Sequence, residues 1–129
     1  MIVSCKYNQQ NFLPKQLIRY AFTQNEKGEL DITIDKEYCV FGVRTYKNQK
    51  FYLVFTDTIH KEYPWWMPAQ LYSIVNEEIP KKWIKKTHGY LFKDTVYAPT
   101  AYHGNENSIE DGNAPLAIMA AIIDDSCDS

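Results

Sequence analysis

The strictest alternation of apolar and polar side chains along this chain lies at residues 29–35. The apolar members would all fall on one face of an extended segment: Leu30, Ile32 and Ile34. The polar members would fall on the other face: Asp31, Thr33 and Asp35. A period of two is typical of a β-strand with one buried face, so we predict a half-buried strand at residues 29–35.

Two longer apolar segments, at residues 38–46 and 51–56, are separated by a short polar stretch. This spacing predicts a β-hairpin with residues 48–49 as its loop, in which Tyr46 faces Phe51. Asparagine adopts the positive φ that such a loop requires more readily than glutamine does, so a longer loop remains an alternative. Both faces of the hairpin are apolar, which predicts a position near the middle of an antiparallel sheet.

Gly42 interrupts the first strand of this hairpin, opposite Phe55 in the same register. A glycine inside a strand weakens pairing and packing, so it usually has a local reason. We predict that Gly42 marks either a β-bulge or a position over which an aromatic ring packs.

The remaining apolar segments are short. We predict strands at residues 1–6 and 71–75, one or two strands at residues 90–92 and 95–97, and helices at residues 14–21, 80–87 and 114–123. Each helix prediction rests on a proline near its start, although the first segment is also compatible with a strand. Together these elements predict one α+β domain over residues 1–129, with an antiparallel sheet of about five or six strands and two or three short helices packed on one face.

Charge is distributed unevenly, although the net charge is only −2. Residues 1–93 hold all 14 Lys and Arg residues. The rest of the chain carries only acidic charges, at Asp94, Glu106, Glu110, Asp111, Asp124, Asp125 and Asp128. An acidic end repels nucleic acid and attracts a basic partner. A solvated tail that only keeps the chain soluble explains the same pattern equally well.

The start of the chain lacks the long apolar stretch of a signal peptide, and no apolar run approaches the roughly 20 residues of a membrane helix. The 3 cysteines, Cys5, Cys39 and Cys127, are an odd number at wide spacing. This argues against a disulfide framework. We therefore expect unpaired thiols, a reducing compartment and a cytoplasmic protein without a membrane partner.

Candidate catalytic and metal-binding residues are scattered. The 3 histidines, His60, His88 and His103, lie far apart, and no CxxC or HExxH motif occurs. We therefore expect no metal site, no cofactor and no enzyme activity. A cysteine, a histidine and a carboxylate could still meet in space. That keeps a small cytosolic enzyme or ligand-binding domain with an aromatic-lined cleft as the alternative.

The densest charged motif is Lys81-Lys82-Trp83-Ile84-Lys85-Lys86. A basic patch beside aromatic rings is one way to bind phosphates. A solvated helix face anchored by a core tryptophan is the simpler interpretation. An acidic net charge is also atypical of nucleic-acid binders, so we do not expect nucleic acid as a partner.

Two adjacent tryptophans, Trp65 and Trp66, lie between Pro64 and Pro68. The prolines favour extended backbone before them, and adjacent side chains of an extended segment point to opposite sides. We therefore predict that one tryptophan anchors in the core, while the other is a candidate contact for a partner protein.

The central region carries a family resemblance in four pieces. They are Tyr38-Cys39-Val40-Phe41-Gly42-Val43, Tyr52-Leu53-Val54, Tyr63-Pro64-Trp65-Trp66-Met67-Pro68-Ala69-Gln70-Leu71-Tyr72 and Ile79-Pro80-Lys81-Lys82-Trp83. Over roughly residues 30–90 this pattern resembles small bacterial immunity proteins of polymorphic-toxin and contact-dependent inhibition systems. The resemblance implies a cytosolic protein that binds one cognate toxin and blocks its active site or substrate surface.

The resemblance and the charge pattern together lead us to expect a stoichiometric, non-catalytic inhibitor of a cognate protein toxin. Acidic side chains can occupy a site built for phosphates, so a basic nuclease-type domain is the kind of toxin that fits. The candidate partner-binding residues are Glu106, Glu110, Asp111, Asp124, Asp125, Trp65 and Trp66.

Overall fold

The fold is built mainly from short antiparallel strands. The computed structural model describes residues 1–18, 27–59, 61–62, 64–89 and 93–99. Within these ranges the strands are β1 (Ile2–Cys5), β2 (Glu37–Cys39), β3 (Val43–Tyr46), β4 (Gln49–Val54), β5 (Trp65–Pro68), β6 (Tyr72–Asn76), β7 (Trp83–His88) and β8 (Asp94–Pro99). The helical elements in the same ranges are α1 (Lys15–Ile18) and two 3₁₀ helices, Gln10–Phe12 and Ala69–Leu71.

The strands form two antiparallel sheets. The smaller sheet has the order β2-β1-β6, and the larger sheet has the order β5-β4-β3-β8-β7. Both sheets contribute to one buried core. In it the Tyr52 ring of the larger sheet meets the Tyr72 ring of the smaller one, at a centroid distance of 6.0 Å. The two sheets therefore pack face to face.

The antiparallel, strand-rich character predicted from the sequence is confirmed, but the arrangement differs. Eight strands are divided between two sheets, where the sequence predicted five or six strands in one. In the described part of the chain the one α-helix, α1, spans 4 residues and begins directly after Pro14. An apolar sheet face needs a cover, and the smaller sheet supplies it where helices were expected.

The predicted hairpin is present as β3 and β4. Its loop is Lys47-Asn48, with φ of 51° and 64°, one residue earlier than predicted. Tyr46 therefore pairs with Gln49 and not with Phe51. Two successive positive φ values suit asparagine better than glutamine, and the earlier loop keeps Gln49 in the strand. Because the register changes by two residues, every side chain keeps its predicted face.

Gly42 lies under an aromatic ring, which was one of the two predicted alternatives. A Cβ atom at this position would lie 2.9 Å from Cη2 of Trp66 and 3.4 Å from Cβ of Leu53. The residue opposite Gly42 is Leu53 and not Phe55. Leu53 faces both Phe41 and Gly42, since its carbonyl accepts from the Phe41 N–H at 2.8 Å and its N–H donates to the Gly42 carbonyl at 2.9 Å. Two residues opposite one is the arrangement of a β-bulge, so the other predicted alternative is supported as well. Only a residue without a side chain leaves this space for the Trp66 ring.

The face of the larger sheet turned away from the main core carries a second apolar cluster. Its members are Phe41, Leu53, Val96 and Ala98, with Cys39, Phe55 and Trp66 packed against them. The Phe41 and Phe55 rings meet edge to face at a centroid distance of 5.4 Å. The position predicted for the hairpin, near the middle of an antiparallel sheet, is confirmed, since β3 is the central strand of the larger sheet and β4 lies beside it.

Residues 29–35 do not form the predicted strand, because only Glu29 and Leu30 make isolated bridges, that of Glu29 with Gln9. Leu30 and Ile32 are buried as predicted, whereas Ile34 is 43% exposed. Asp31 was predicted to face solvent but is only 3% exposed. The alternation thus identified two of the three apolar residues as core residues, but it misplaced Ile34 and Asp31 and predicted the wrong backbone conformation.

The buried Asp31 carboxylate explains this outcome. It accepts hydrogen bonds from the hydroxyls of Thr56 and Thr58, both at 2.7 Å, and from the backbone N–H groups of Thr58 and Ile59. A buried carboxylate requires such donors. They lie in the loop after β4, so residues 29–35 fold around that loop and not along a neighbouring strand.

The segment predicted as a helix at residues 80–87 is instead strand β7. It pairs with β8 over 6 residue pairs, and this cross-strand pairing overrides the local helix signals. In a strand, Lys85 and Lys86 point to opposite faces, so the common basic face expected of a helix does not form.

The other strand predictions are confirmed where the structure describes them. Those near residues 1–6, 71–75 and 95–97 correspond to β1, β6 and β8. The helix predicted at residues 114–123 and the apolar residues 90–92 lie outside the described residues.

Gly42→Ala is expected to destabilise the protein by about 1–3 kcal/mol, because the added methyl group collides with Trp66 in a packed cluster. Urea unfolding followed by circular dichroism measures the change. Trp66→Phe is the partner variant, since the smaller ring frees space over Gly42. The substitution should therefore cost less in the Trp66→Phe background, and an equal cost in both backgrounds would refute the contact.

Asp31 and Asp57 should make the fold sensitive to acid. Burial by itself raises the pKa of Asp31, but the N–H and hydroxyl donors of Ile59, Thr58 and Thr56 outweigh it and lower the pKa. A lowered pKa means stability that is present above the ordinary carboxyl pKa of about 3.9 and is lost as pH falls through the lower native value.

The unfolding free energy is therefore expected to decrease as the pH falls below about 4, and Asp31→Asn should flatten that decrease. Urea midpoints measured between neutral and acidic pH test this expectation. Thr58→Ala, which removes one of the hydroxyl donors, should give an intermediate slope. A wild-type slope in Asp31→Asn would contradict the assignment.

Candidate functional site

The acidic candidates for partner contact lie outside the described residues. They are Glu106, Glu110, Asp111, Asp124 and Asp125. His60 and His103 also lie outside them. The described part of the chain offers the tryptophan pair, the edges of the two sheets and a cleft between the sheets.

Trp65 and Trp66 are consecutive residues of β5, paired with Val54 and Leu53 of β4. Trp65 packs against the main core, whereas Trp66 packs against both the main core and the second cluster. Because the two are consecutive residues of a strand, their side chains leave the backbone on opposite sides. Their predicted placement on opposite sides is confirmed. Both rings are half-buried, and contact of either with a partner stays a prediction.

Among the described strands, the two sheets end in four edge strands, β2 and β6 in the smaller sheet and β5 and β7 in the larger. An open edge presents a row of backbone N–H and C=O groups to extended segments of other chains. Three of these edges carry blocking features. β5 follows Pro64 and ends in Pro68, β7 carries Lys85 and Lys86, and β2 has only 3 residues. Proline, lysine and shortness all discourage pairing at an edge.

β6 has none of these features, since Tyr72–Asn76 contains no proline and no charged side chain. Ile74 is 51% exposed and Val75 is 53% exposed, more than any other large apolar side chain of the described residues. A register shift against β1 leaves Val75 without an opposite residue, so both apolar side chains reach solvent. The sequence predicted this strand but contained no signal for its position at an edge.

A cleft of about 340 Å³ opens beside β6. The larger sheet lines it with Val43, Thr45, Lys50, Tyr52, Lys85, Thr95 and Tyr97. The opposite wall consists of Met1, Ile74, Glu77 and Ile79. The cleft therefore combines aromatic and aliphatic surface with two lysines and one carboxylate.

The strand registers place the polar residues of the larger-sheet wall side by side. Thr45 pairs with Lys50 on one side and with Thr95 on the other. Tyr97, two residues further along β8, pairs with Lys85. The Lys85 ammonium lies 5.8 Å from the centroid of the Tyr97 ring, so it leans over the sheet. A lysine thus stands at each end of a floor of hydroxyl-bearing side chains.

A polar network around Asp57 joins the residues before β2 to the loop after β4. The Asp57 carboxylate accepts hydrogen bonds from Lys36 Nζ at 2.8 Å, Thr33 Oγ1 at 2.6 Å and Tyr38 Oη at 2.8 Å. Burial by itself raises the pKa of Asp57, but these donors outweigh it and lower the pKa. Because these donors occupy its oxygens, the carboxylate has a structural role and holds the two segments together.

Cys5 is a free, buried thiol and a poor nucleophile. It is 1% exposed, and its Sγ donates to the Tyr7 carbonyl at 3.5 Å. Burial, together with the nearby Asp57 charge, raises the pKa of Cys5 to about 11. The thiolate, which is the reactive form, is therefore scarce at neutral pH. His88 lies exposed on β7, and the described lining of the cleft includes no cysteine or histidine.

Cys39 is disulfide-bonded. The expectation of unpaired thiols is therefore right for Cys5 and wrong for Cys39. An odd number of widely spaced cysteines still allows one bond when folding brings two of them together. Disulfides are typical of oxidising compartments, so Cys39 counts against the reducing environment expected from the sequence.

Within the described ranges, no group of three or more His, Cys, Asp and Glu side chains could hold a metal ion. No helix in this part of the chain has the length and apolar content to cross a membrane. Comparison of the chain with protein-family models, with curated proteins and with solved structures finds no match.

Cys5 is expected to resist alkylation in the folded protein. Iodoacetamide treatment followed by peptide mass spectrometry should leave Cys5 unmodified at about pH 8 and modify it fully in urea. In the folded state the labelling rate should still rise towards pH 11, because the pKa of Cys5 is raised to about 11. Rapid native labelling at neutral pH would contradict the buried thiol.

Proposed function

We propose that this protein is a stoichiometric inhibitor of immunity type, which binds a cognate protein toxin without catalysing any reaction. The observation that supports this most directly is the open β6 edge, with its exposed Ile74 and Val75 and no charged residue. An extended segment of a partner can add to such an edge through backbone hydrogen bonds.

The apolar side chains of β6 provide affinity beyond backbone pairing. About half the surface of Ile74 and of Val75 is accessible to solvent. Covering both would contribute about 1–2 kcal/mol each, in proportion to the apolar area removed from water. The backbone register would then determine which partner side chains meet them, and this is how strand addition achieves specificity.

The charges at the end of β6 favour a basic partner. Glu77 and Glu78 follow the strand directly and are both exposed. Acidic groups beside an interface attract a basic chain and repel acidic competitors. In this proposal the acidic residues Glu106, Glu110, Asp111, Asp124 and Asp125 strengthen the same field, and a basic nuclease-type toxin remains the partner that fits.

The cytoplasm is the compartment that this proposal assigns, because an immunity protein must meet its toxin where the toxin acts. The disulfide at Cys39 is the feature that opposes this assignment. Thiol trapping of Cys39 in living cells distinguishes a cytoplasmic location from an oxidising one. If Cys39 is oxidised in the native host, the inhibitor is assigned to an oxidising compartment. The proposed binding of a partner at the β6 edge is unaffected by that result.

The double substitution Ile74→Lys with Val75→Lys is expected to weaken binding by at least about tenfold, since charge at an edge blocks strand addition and the apolar contact is lost. The partner for this test is the protein encoded by the neighbouring gene, which this proposal takes to be the toxin. Isothermal titration calorimetry measures the affinity, and survival of cells that co-express both proteins measures the protection.

The matched control is Ile34→Lys with Ile59→Lys, which also replaces two exposed apolar residues, 43% and 45% accessible, outside β6. Circular dichroism and thermal unfolding confirm that both variants fold. No complex with the toxin, or undiminished toxicity beside the wild-type protein, refutes the inhibitor. Equal losses in both double variants refute the β6 edge as its binding surface.

A further inference from the structure

We propose that the cleft beside β6 binds a small molecule that carries a phosphate group on an apolar or aromatic body. This ligand is separate from the toxin. It depends on residues that strand addition at β6 does not use: Lys50, Lys85, Thr45 and Thr95.

No ion pair among the described residues neutralises the two lysines of the cleft. In the described part of the chain the ion pairs are Lys36–Asp57 and Arg44–Asp94, and neither involves a lysine of the cleft. Lys50 lies on β4 and Lys85 lies on β7, with β3 and β8 between them. At about 4.8 Å per strand spacing, two extended lysine side chains can reach one group held above the intervening strands.

The floor between the lysines adds hydrogen-bond donors. Thr45 and Thr95 are direct cross-strand partners, so their side chains lie next to each other on the cleft side of the sheet. The Thr95 hydroxyl also lies 3.0 Å from that of Thr87. Because a hydroxyl can donate one bond while accepting another, this contact leaves the pair able to donate towards the cleft.

This donor set matches a phosphate better than a carboxylate. A phosphate group carries up to two negative charges and three acceptor oxygens, which suits two ammonium groups and two hydroxyls. A carboxylate has one charge and two oxygens. Glu77 is the one carboxylate among the cleft-lining residues that the structure describes, and it stands on the opposite wall. It would keep the anionic end of a ligand on the lysine side.

The remaining surface indicates the rest of the ligand. Tyr52, Tyr97, Ile74 and Ile79 give the cleft aromatic and aliphatic walls. Its volume of about 340 Å³ exceeds what a phosphate group alone would fill. Small-molecule sites typically begin near about 300 Å³ and combine apolar walls with a few convergent polar groups. An apolar or aromatic body attached to the phosphate would occupy this part.

Phenyl phosphate is the probe for this site, and phenol, benzoate and inorganic phosphate are its comparisons. In two-dimensional NMR titrations of the full-length ¹⁵N-labelled protein at constant ionic strength, phenyl phosphate should shift the amides of Thr45, Thr95 and Tyr97. Inorganic phosphate should bind more weakly, and phenol should produce no saturable shift. Absence of shifts with phenyl phosphate at millimolar concentration, or equal binding of benzoate, overturns the proposal.

Lys50→Gln with Lys85→Gln should weaken phenyl phosphate binding by at least about tenfold, because both charge-assisted contacts are lost. Lys81→Gln with Lys82→Gln removes the same charge from exposed positions outside the cleft and should change the affinity by less than about twofold. An equal loss of affinity in the two variants would show that the ligand is attracted only by the general positive charge, and it would overturn the proposed site. All four lysines are exposed, and thermal unfolding confirms that both variants fold. The phenyl phosphate experiment needs no toxin. A negative result in it therefore overturns the ligand site and does not affect the proposal of an inhibitor that binds through β6.

Discussion

Burial of one shared core between two antiparallel sheets is the constraint on which the rest of this structure depends. Val3 of β1, Val54 of β4 and Leu71 before β6 are each 0% exposed, so both sheets lose apolar surface to the same interior. Each such side chain contributes about 1.5–3 kcal/mol relative to an exposed position. The smaller sheet, with three strands, gains its stability by covering the larger one.

The polar groups at this core differ in how completely their hydrogen bonds are formed. The carboxylates of Asp31 and Asp57 each have several donors, and they connect loops that would otherwise expose backbone. In contrast, the Tyr72 hydroxyl and the Trp83 indole N–H are buried without a hydrogen-bond partner among the described residues. Each costs about 1–3 kcal/mol, which the large ring area buried with it offsets. Burial also raises the pKa of Tyr72 well above its ordinary value, so its hydroxyl stays neutral.

The same packing creates the two surfaces to which we assign function. Closing the sheets over one another leaves four edges among the described strands, and three of them are protected by proline, lysine or shortness. The fourth, β6, borders the cleft, and Ile74 belongs both to the edge and to the cleft wall. A partner strand and a small ligand would therefore lie side by side. The edge offers backbone pairing and apolar contact, while the cleft offers positive charge, so the two sites require different chemistry.

The sequence by itself determined the local features of this protein. Alternation identified Leu30 and Ile32 as core residues, the spacing of apolar segments predicted the β3–β4 hairpin, and neighbouring positions in an extended segment sent Trp65 and Trp66 to opposite sides. Each of these follows from the geometry of a few adjacent residues.

Only the tertiary structure decided how the elements meet. Asp31 turned inward because its donors lie in a loop 25 or more residues away, and residues 80–87 became a strand because β8 offered a pairing edge. The open β6 edge and the cleft between Lys50 and Lys85 depend in the same way on strand order and on the packing of two sheets. Contacts between residues distant in the chain create these features, so the periodicity of neighbouring residues cannot predict them.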